Sequence, residues 1–200
     1  MRLGPPPGSL AQSPVVYSLV PGTRLACFYD PTRGTWNRRR RFGPLSDVRF
    51  DHHPPPLRIH AAASAWYAST SLLGALSEAF GRLGFVDRRS GRRVAVVRVA
   101  SALALVDLVG VGARRIGLTQ EIASTSEYAL CQTWARAIHG SYAGVQGIRW
   151  RGRQAGAICI VLTERAPQAS LALESDHDIA DVRVWPRVAR AARRCNLPIL

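Results

Sequence analysis

Two hundred residues suit one domain, long enough to bury a core without disulfide or metal staples. The chain carries 27 basic and 13 acidic residues, a formal net charge of +14, but every basic residue is arginine. Apart from Arg38 to Arg41 the arginines are dispersed, so no basic arm marks a nucleic-acid binder. The 47% hydrophobic content argues against a disordered chain. Cys27, Cys131, Cys159 and Cys195 lie too far apart for a disulfide framework or a CxxC zinc site.

Residues 1–20 read as a flexible Pro/Ser/Gly-rich tail and 21–200 as the folded domain. No continuous apolar stretch opens the chain, and the apolar run from Val99 to Ala113 is interrupted by Asp107 and too short to span a bilayer. A soluble, unsecreted protein of the reducing cytoplasm is therefore expected. Arg24 to Tyr29 reads as a strand closed by the turn signal Asp30-Pro31. Trp36 to Pro56 reads as a long basic loop, of a length that is often functional. His52 and His53 sit in it without a partner at ligand spacing, and no metal is assigned.

A second strand ends in Trp66-Tyr67, and Ser69, Thr70 or Ser71 caps a helix running to about Leu83. Val94 to Val99 and Leu103 to Val109 are strand-like. Ser124-x-x-Glu127 has the capping-box pattern of a helix reaching His139. Ile148 to Trp150 and Ala157 to Leu162 read as strands, and Trp185 to Cys195 as a helix begun at Pro186. The interleaving predicts a single α+β (mixed α/β) domain.

On the helix after Ser71, Leu72, Leu73, Leu76, Ala79, Phe80 and Leu83 share the face expected to meet the core. Glu78 lies opposite, among Ser71, Gly74, Ala75, Gly81 and Arg82. Each interior glycine costs about 1 kcal/mol against alanine, a cost explained if a ligand or another strand approaches the backbone closely.

Several segments resemble, in order, the RES family. They are Arg41-Phe42-Gly43-Pro44-Leu45, Trp66-Tyr67-Ala68 and Ala75-Leu76-Ser77-Glu78, then Asp107-Leu108, Arg114 to Thr119, Thr133-Trp134-Ala135, Ile138-His139, Gly147 to Trp150 and Arg153-Gln154. The resemblance covers about residues 21 to 200. It implies a fold similar to ADP-ribosyltransferases and a toxin that cleaves the nicotinamide–ribose bond of NAD by phosphorolysis, hydrolysis or ADP-ribosyl transfer. NAD would be the substrate and inorganic phosphate a possible co-substrate, with no cofactor. It further implies a helix-turn-helix antitoxin as partner; membrane attachment and direct nucleic-acid binding are not expected.

Carried onto this chain, the resemblance makes Glu78 the carboxylate that stabilises an oxocarbenium-like ribose, Tyr67 the residue that positions ribose and nicotinamide, and Arg41 the pyrophosphate ligand. Cys27 stands where the family has a first-strand arginine, and Arg24, three residues away, faces the other side of the strand. Gly152 stands where the family serine is expected, leaving its backbone N–H or Arg153 to contact phosphate. These two departures sustain an alternative, a catalytically impaired RES-fold binding protein.

Overall fold

A computed structural model describes residues 4–10, 13–119, 121–122, 125–152 and 156–200. Its strands are Val16–Leu19 (β1), Arg24–Tyr29 (β2), Phe42–Gly43 (β3), Arg58–Ile59 (β4), Ala65–Ser69 (β5), Arg93–Val99 (β6), Leu103–Asp107 (β7), Gly147–Arg151 (β8), Ile158–Thr163 (β9) and Leu171–Asp178 (β10). The helices among the described residues are Leu72–Phe80 (α1), Val111–Arg115 (α2), Tyr128–Ser141 (α3) and Trp185–Arg194 (α4). One sheet has the order β1-β7-β8-β9-β5-β2-β6-β10, and β3 pairs with β4 in a separate ribbon. The fold is thus α+β, as the interleaved pattern predicts.

Neighbours in the large sheet are antiparallel except β7 and β8. A parallel pair needs a crossover, which α2 and α3 occupy. Alternate residues, Leu25 and Cys27, Trp66 and Ala68, Ala95 and Val97, Leu103 and Leu105, Ile160 and Leu162, form one buried cluster. Leu19 of β1 belongs to it with Val97 of β6, although these strands stand far apart in the order, so the sheet curls round this core.

A second cluster sets α3, through Cys131, Trp134, Ala135 and Ile138, against Ile148, Trp150 and Val161. A third joins Leu76 and Phe80 of α1 to Val188, Ala191 and Ala192 of α4.

Several sequence expectations need adjustment. Of the segment expected as a tail, Val16–Leu19 forms the edge strand β1 on β7. Helix α1 stops at Phe80, and Leu83, assigned to the core face, is 48% exposed beyond it. Helix α3 begins only after Glu127, which makes no side-chain cap bond, and Ser124 lies outside the described residues. Strand β10 has the half-exposed sequence LALESDHD and is an edge strand, where one face needs no apolar alternation. No helix among the described residues is long and apolar enough to cross a membrane.

Candidate active site

Helix α1 is fixed at both its start and its flank. Ser71, in extended conformation, accepts a hydrogen bond from the Gly74 N–H, satisfying one of the helix's free N-terminal donors. A β-carbon on Gly74 would lie 2.2 Å from Ser69 Oγ and 2.6 Å from Ala157 Cβ, so this glycine lets the helix lie directly on β5 and the start of β9. The close approach expected at Gly74 is thus made by strand residues.

One turn on, Glu78 enters a cavity of about 250 Å³ lined also by Cys27, Arg49, Tyr67, Tyr128, Trp150 and Cys159. Glu78 is exposed to solvent on one side, while Gly152 and Cys159 lie against its carboxyl on the other. Loss of hydration raises its pKa, partly opposed by the Arg49 charge and a hydrogen bond with Cys159.

Gly152 forms the wall behind this carboxylate. A β-carbon there would lie 3.0 Å from Glu78 Oε1 and 2.9 Å from Cys159 Sγ. Burial pushes the Cys159 thiol well up, and the Cys27 thiol up to about 12, aided by Asp176. Both are therefore protonated at neutral pH and poor nucleophiles, which leaves the carboxylates Glu78 and Asp47 as the acidic lining groups, Asp47 being paired with Arg82.

Tyr67 lines the same cavity from β5, edge-on to Trp150 with ring centroids 6.5 Å apart. Its enclosed hydroxyl is held protonated chiefly by burial, with Asp51 adding to the shift and Arg40 opposing it.

Arg49 was not picked out by sequence reasoning. It is 5% exposed, donates to the Thr125 carbonyl at 2.8 Å and faces the Tyr128 ring at 5.2 Å. Phe50, the next residue, has φ 52° and is buried against Trp150 at 5.2 Å. A bulky residue in the left-handed region costs about 1–2 kcal/mol, which the packing of Phe50 offsets while fixing where Arg49 points. The local signal was present in the sequence: Arg49 stands between apolar Val48 and Phe50.

The other sequence candidates separate. Arg41 is not in this cavity: it is exposed, donates to the Ala61 carbonyl at 2.9 Å and borders a different hollow with Arg38, Arg39 and Arg40. It follows the bridge of Arg40 to Ala65, which turns it away from Glu78. Arg153 lies outside the described residues. Arg24 pairs with Glu174 at 2.5 Å on the outer surface, opposite Cys27 as alternation requires.

His52 gains partners from distant elements. Its Nε2 lies 2.9 Å from Glu164 Oε2, and His139 Nε2 lies 2.6 Å from Glu164 Oε1. The His52 and His139 rings stack at 4.5 Å with a 30° tilt. Their Nε2 atoms thus share the two oxygens of one carboxylate. Asp51 forms a second clasp, with His53, Arg40 and the Leu45 N–H.

A curled α+β sheet with a carboxylate, a buried guanidinium and aromatic rings round one cavity defines a small-ligand site of the kind used by enzymes. The RES domain family model matches residues 26–185, and the chain belongs to this family. Among solved structures it is similar to the crystal structure of the M. tuberculosis MbcT-MbcA toxin-antitoxin complex, with TM-score 0.62 and 18% identity over 86% of this chain and 92% of that one. No curated protein matches.

Proposed function

We propose that the chain is an NAD-cleaving enzyme of the toxin type, with residues 21–200 as the catalytic unit. The observation that carries this reading is the position of Glu78: a carboxylate at the solvent-open side of a cavity walled by Tyr67 and Arg49, with Gly152 close behind it. As the C1′–nitrogen bond of the nicotinamide riboside unit breaks, its electron pair passes to the pyridinium nitrogen and C1′ becomes cationic. Glu78 stabilises that charge by its proximity, and an acceptor oxygen from water, phosphate or a protein then bonds to C1′, its proton, where it carries one, passing to solvent. Tyr67 and Trp150 wall the space beside the ribose. Arg153, next to Gly152 in sequence, is proposed to contact phosphate.

The test is NAD consumption by wild type and Glu78→Gln, with and without inorganic phosphate. The expected loss is at least about 100-fold, the usual cost of removing one transition-state electrostatic partner. Equal rates would remove Glu78 from the mechanism.

A second reading, a RES-fold binding protein with impaired catalysis, draws on Cys27 and on Gly152, which brings no hydroxyl to Glu78. It predicts NAD binding without turnover. As partner we propose an antitoxin, supported by the toxin-antitoxin complex that the fold resembles, and as compartment the cytoplasm.

A further inference from the structure

Close to Glu78 in the chain, an exposed ion pair bridges two of the cavity's lining segments. Arg82 NH1 lies 2.5 Å from Asp47 Oδ2, their side chains 62% and 40% exposed, and both residues line the cavity. Arg82 follows Glu78 by four positions, one helical turn, while Asp47 comes from the loop that carries Arg49. The pair therefore ties these two segments together.

We propose that Arg82 is a substrate-binding residue that exchanges Asp47 for the pyrophosphate of the dinucleotide, an inference that rests on the NAD reading above. A cavity of about 250 Å³ lies below the usual range for sites enclosing a whole ligand of this class, so with the nicotinamide riboside unit at Glu78 the rest of NAD extends out of it. The pyrophosphate must then lie toward solvent, where Arg82 is exposed.

Exchange is favourable in both directions of the comparison. An ion pair this exposed adds little to stability, so opening it costs little. A diphosphate offers a guanidinium several charged oxygens in forked geometry, where Asp47 gives one close contact. Asp47, while in place, also presents like charge to the incoming anion, so it acts as a competitor for Arg82.

Steady-state kinetics with NAD, and calorimetric titration with ADP-ribose and nicotinamide riboside, test this. Arg82→Ala should raise KM for NAD and Kd for ADP-ribose about tenfold with kcat nearly unchanged, and Arg82→Lys should recover part of the loss. Asp47→Asn should lower KM about two- to fivefold, and that gain should vanish in the Arg82→Ala background. Nicotinamide riboside, which has no pyrophosphate, should bind all variants alike.

Unchanged KM in Arg82→Ala, or equal weakening of nicotinamide riboside, would overturn the exchange while leaving the NAD reading intact. Wild-type protein that neither consumes NAD nor binds ADP-ribose would overturn both.

Discussion

Glu78 is held where its charge is least comfortable. Burial raises its pKa above the ordinary 4.5, and the nearby Arg49 and Cys159 restrain that rise without cancelling it. The anion is the working form, so as pH falls activity should be lost at a higher pH than for an ordinary exposed glutamate. The pH profile of kcat measures this, and an acid limb at or below pH 4.5 would contradict it. The same strain has a thermodynamic side: an ionised group disfavoured by the fold lowers stability above its unfolded pKa. Glu78→Gln should therefore melt at the same temperature as wild type or a few degrees higher while losing turnover. Gly152→Ser is expected to reduce turnover, because its β-carbon arrives 3.0 Å from Glu78 Oε1 and 2.9 Å from Cys159 Sγ. A serine introduced to recover the family's residue would push the carboxylate from its place, and higher turnover in this variant would show that the wall yields. Helix periodicity and family order both pointed to Glu78, and family order alone to Tyr67; the fold brings the two to one cavity. Arg41 lies outside the Glu78 cavity, and a run of four arginines gives no sign of which member approaches it; Arg49 was passed over because one arginine between two apolar loop residues is a weak signal.

At the scale of elements, α1 shows how a small residue sets a whole docking geometry. Gly74 faces Ser69 and Ala157 at distances where a methyl group does not fit, and both neighbours are buried or half-buried parts of the sheet. Gly74→Ala would gain helix propensity, worth about 1 kcal/mol. Overpacking opposes it by about 1–3 kcal/mol or more, since Ser69 is already committed to the Ile158 carbonyl at 2.7 Å and cannot swing away freely. The net expectation is a melting temperature lowered by up to roughly 8 °C, read by calorimetry, together with reduced NAD turnover as Glu78 shifts with its helix. A stabilised variant would mean that the helix slides without cost. The start of α1 was readable from Ser71, whereas its end was placed too late because Leu83 continues the apolar period after the chain has left the helix at Gly81. Strands β2, β5, β6, β8 and β9 were readable because they carry alternating or continuous apolar residues. Edge strands β1 and β10 pack one face only, and the two-residue strands β3 and β4 are too short to show any period.

Across the whole molecule, the loop that carries Asp47 and Arg49 is held by two carboxylates at neutral pH, Asp51 tying the loop to itself and Glu164 joining its His52 to Ser64 and to His139 of α3. Burial opposes ionisation of Asp51, but the hydrogen bond from His53, the Arg40 charge and the Leu45 N–H outweigh it and bring its pKa down to about 2. Burial likewise opposes ionisation of Glu164, which His139, His52 and the Ser64 N–H overcome, so its pKa is also depressed. Burial depresses His52 below 6.5 despite its bond to Glu164. A group with a depressed folded pKa stabilises the fold above its unfolded pKa and ceases to do so as pH falls through the folded value. All three shifts therefore act in one direction, His52 losing its contribution first, below 6.5, and the carboxylates below about pH 4. For Asp51 the interval from 3.8 to about 2 corresponds to about 2 kcal/mol. Thermal melts from pH 7 to pH 2 should show falling stability in these two stages. Asp51→Asn should be less stable at pH 7, by roughly 3–5 kcal/mol, because Arg40 and His53 lose a fully buried partner. Its further loss between about pH 4 and pH 2 should be smaller than that of wild type by the Asp51 share. Parallel melting curves for the two proteins across that interval would show that Asp51 does not hold the loop through its charge.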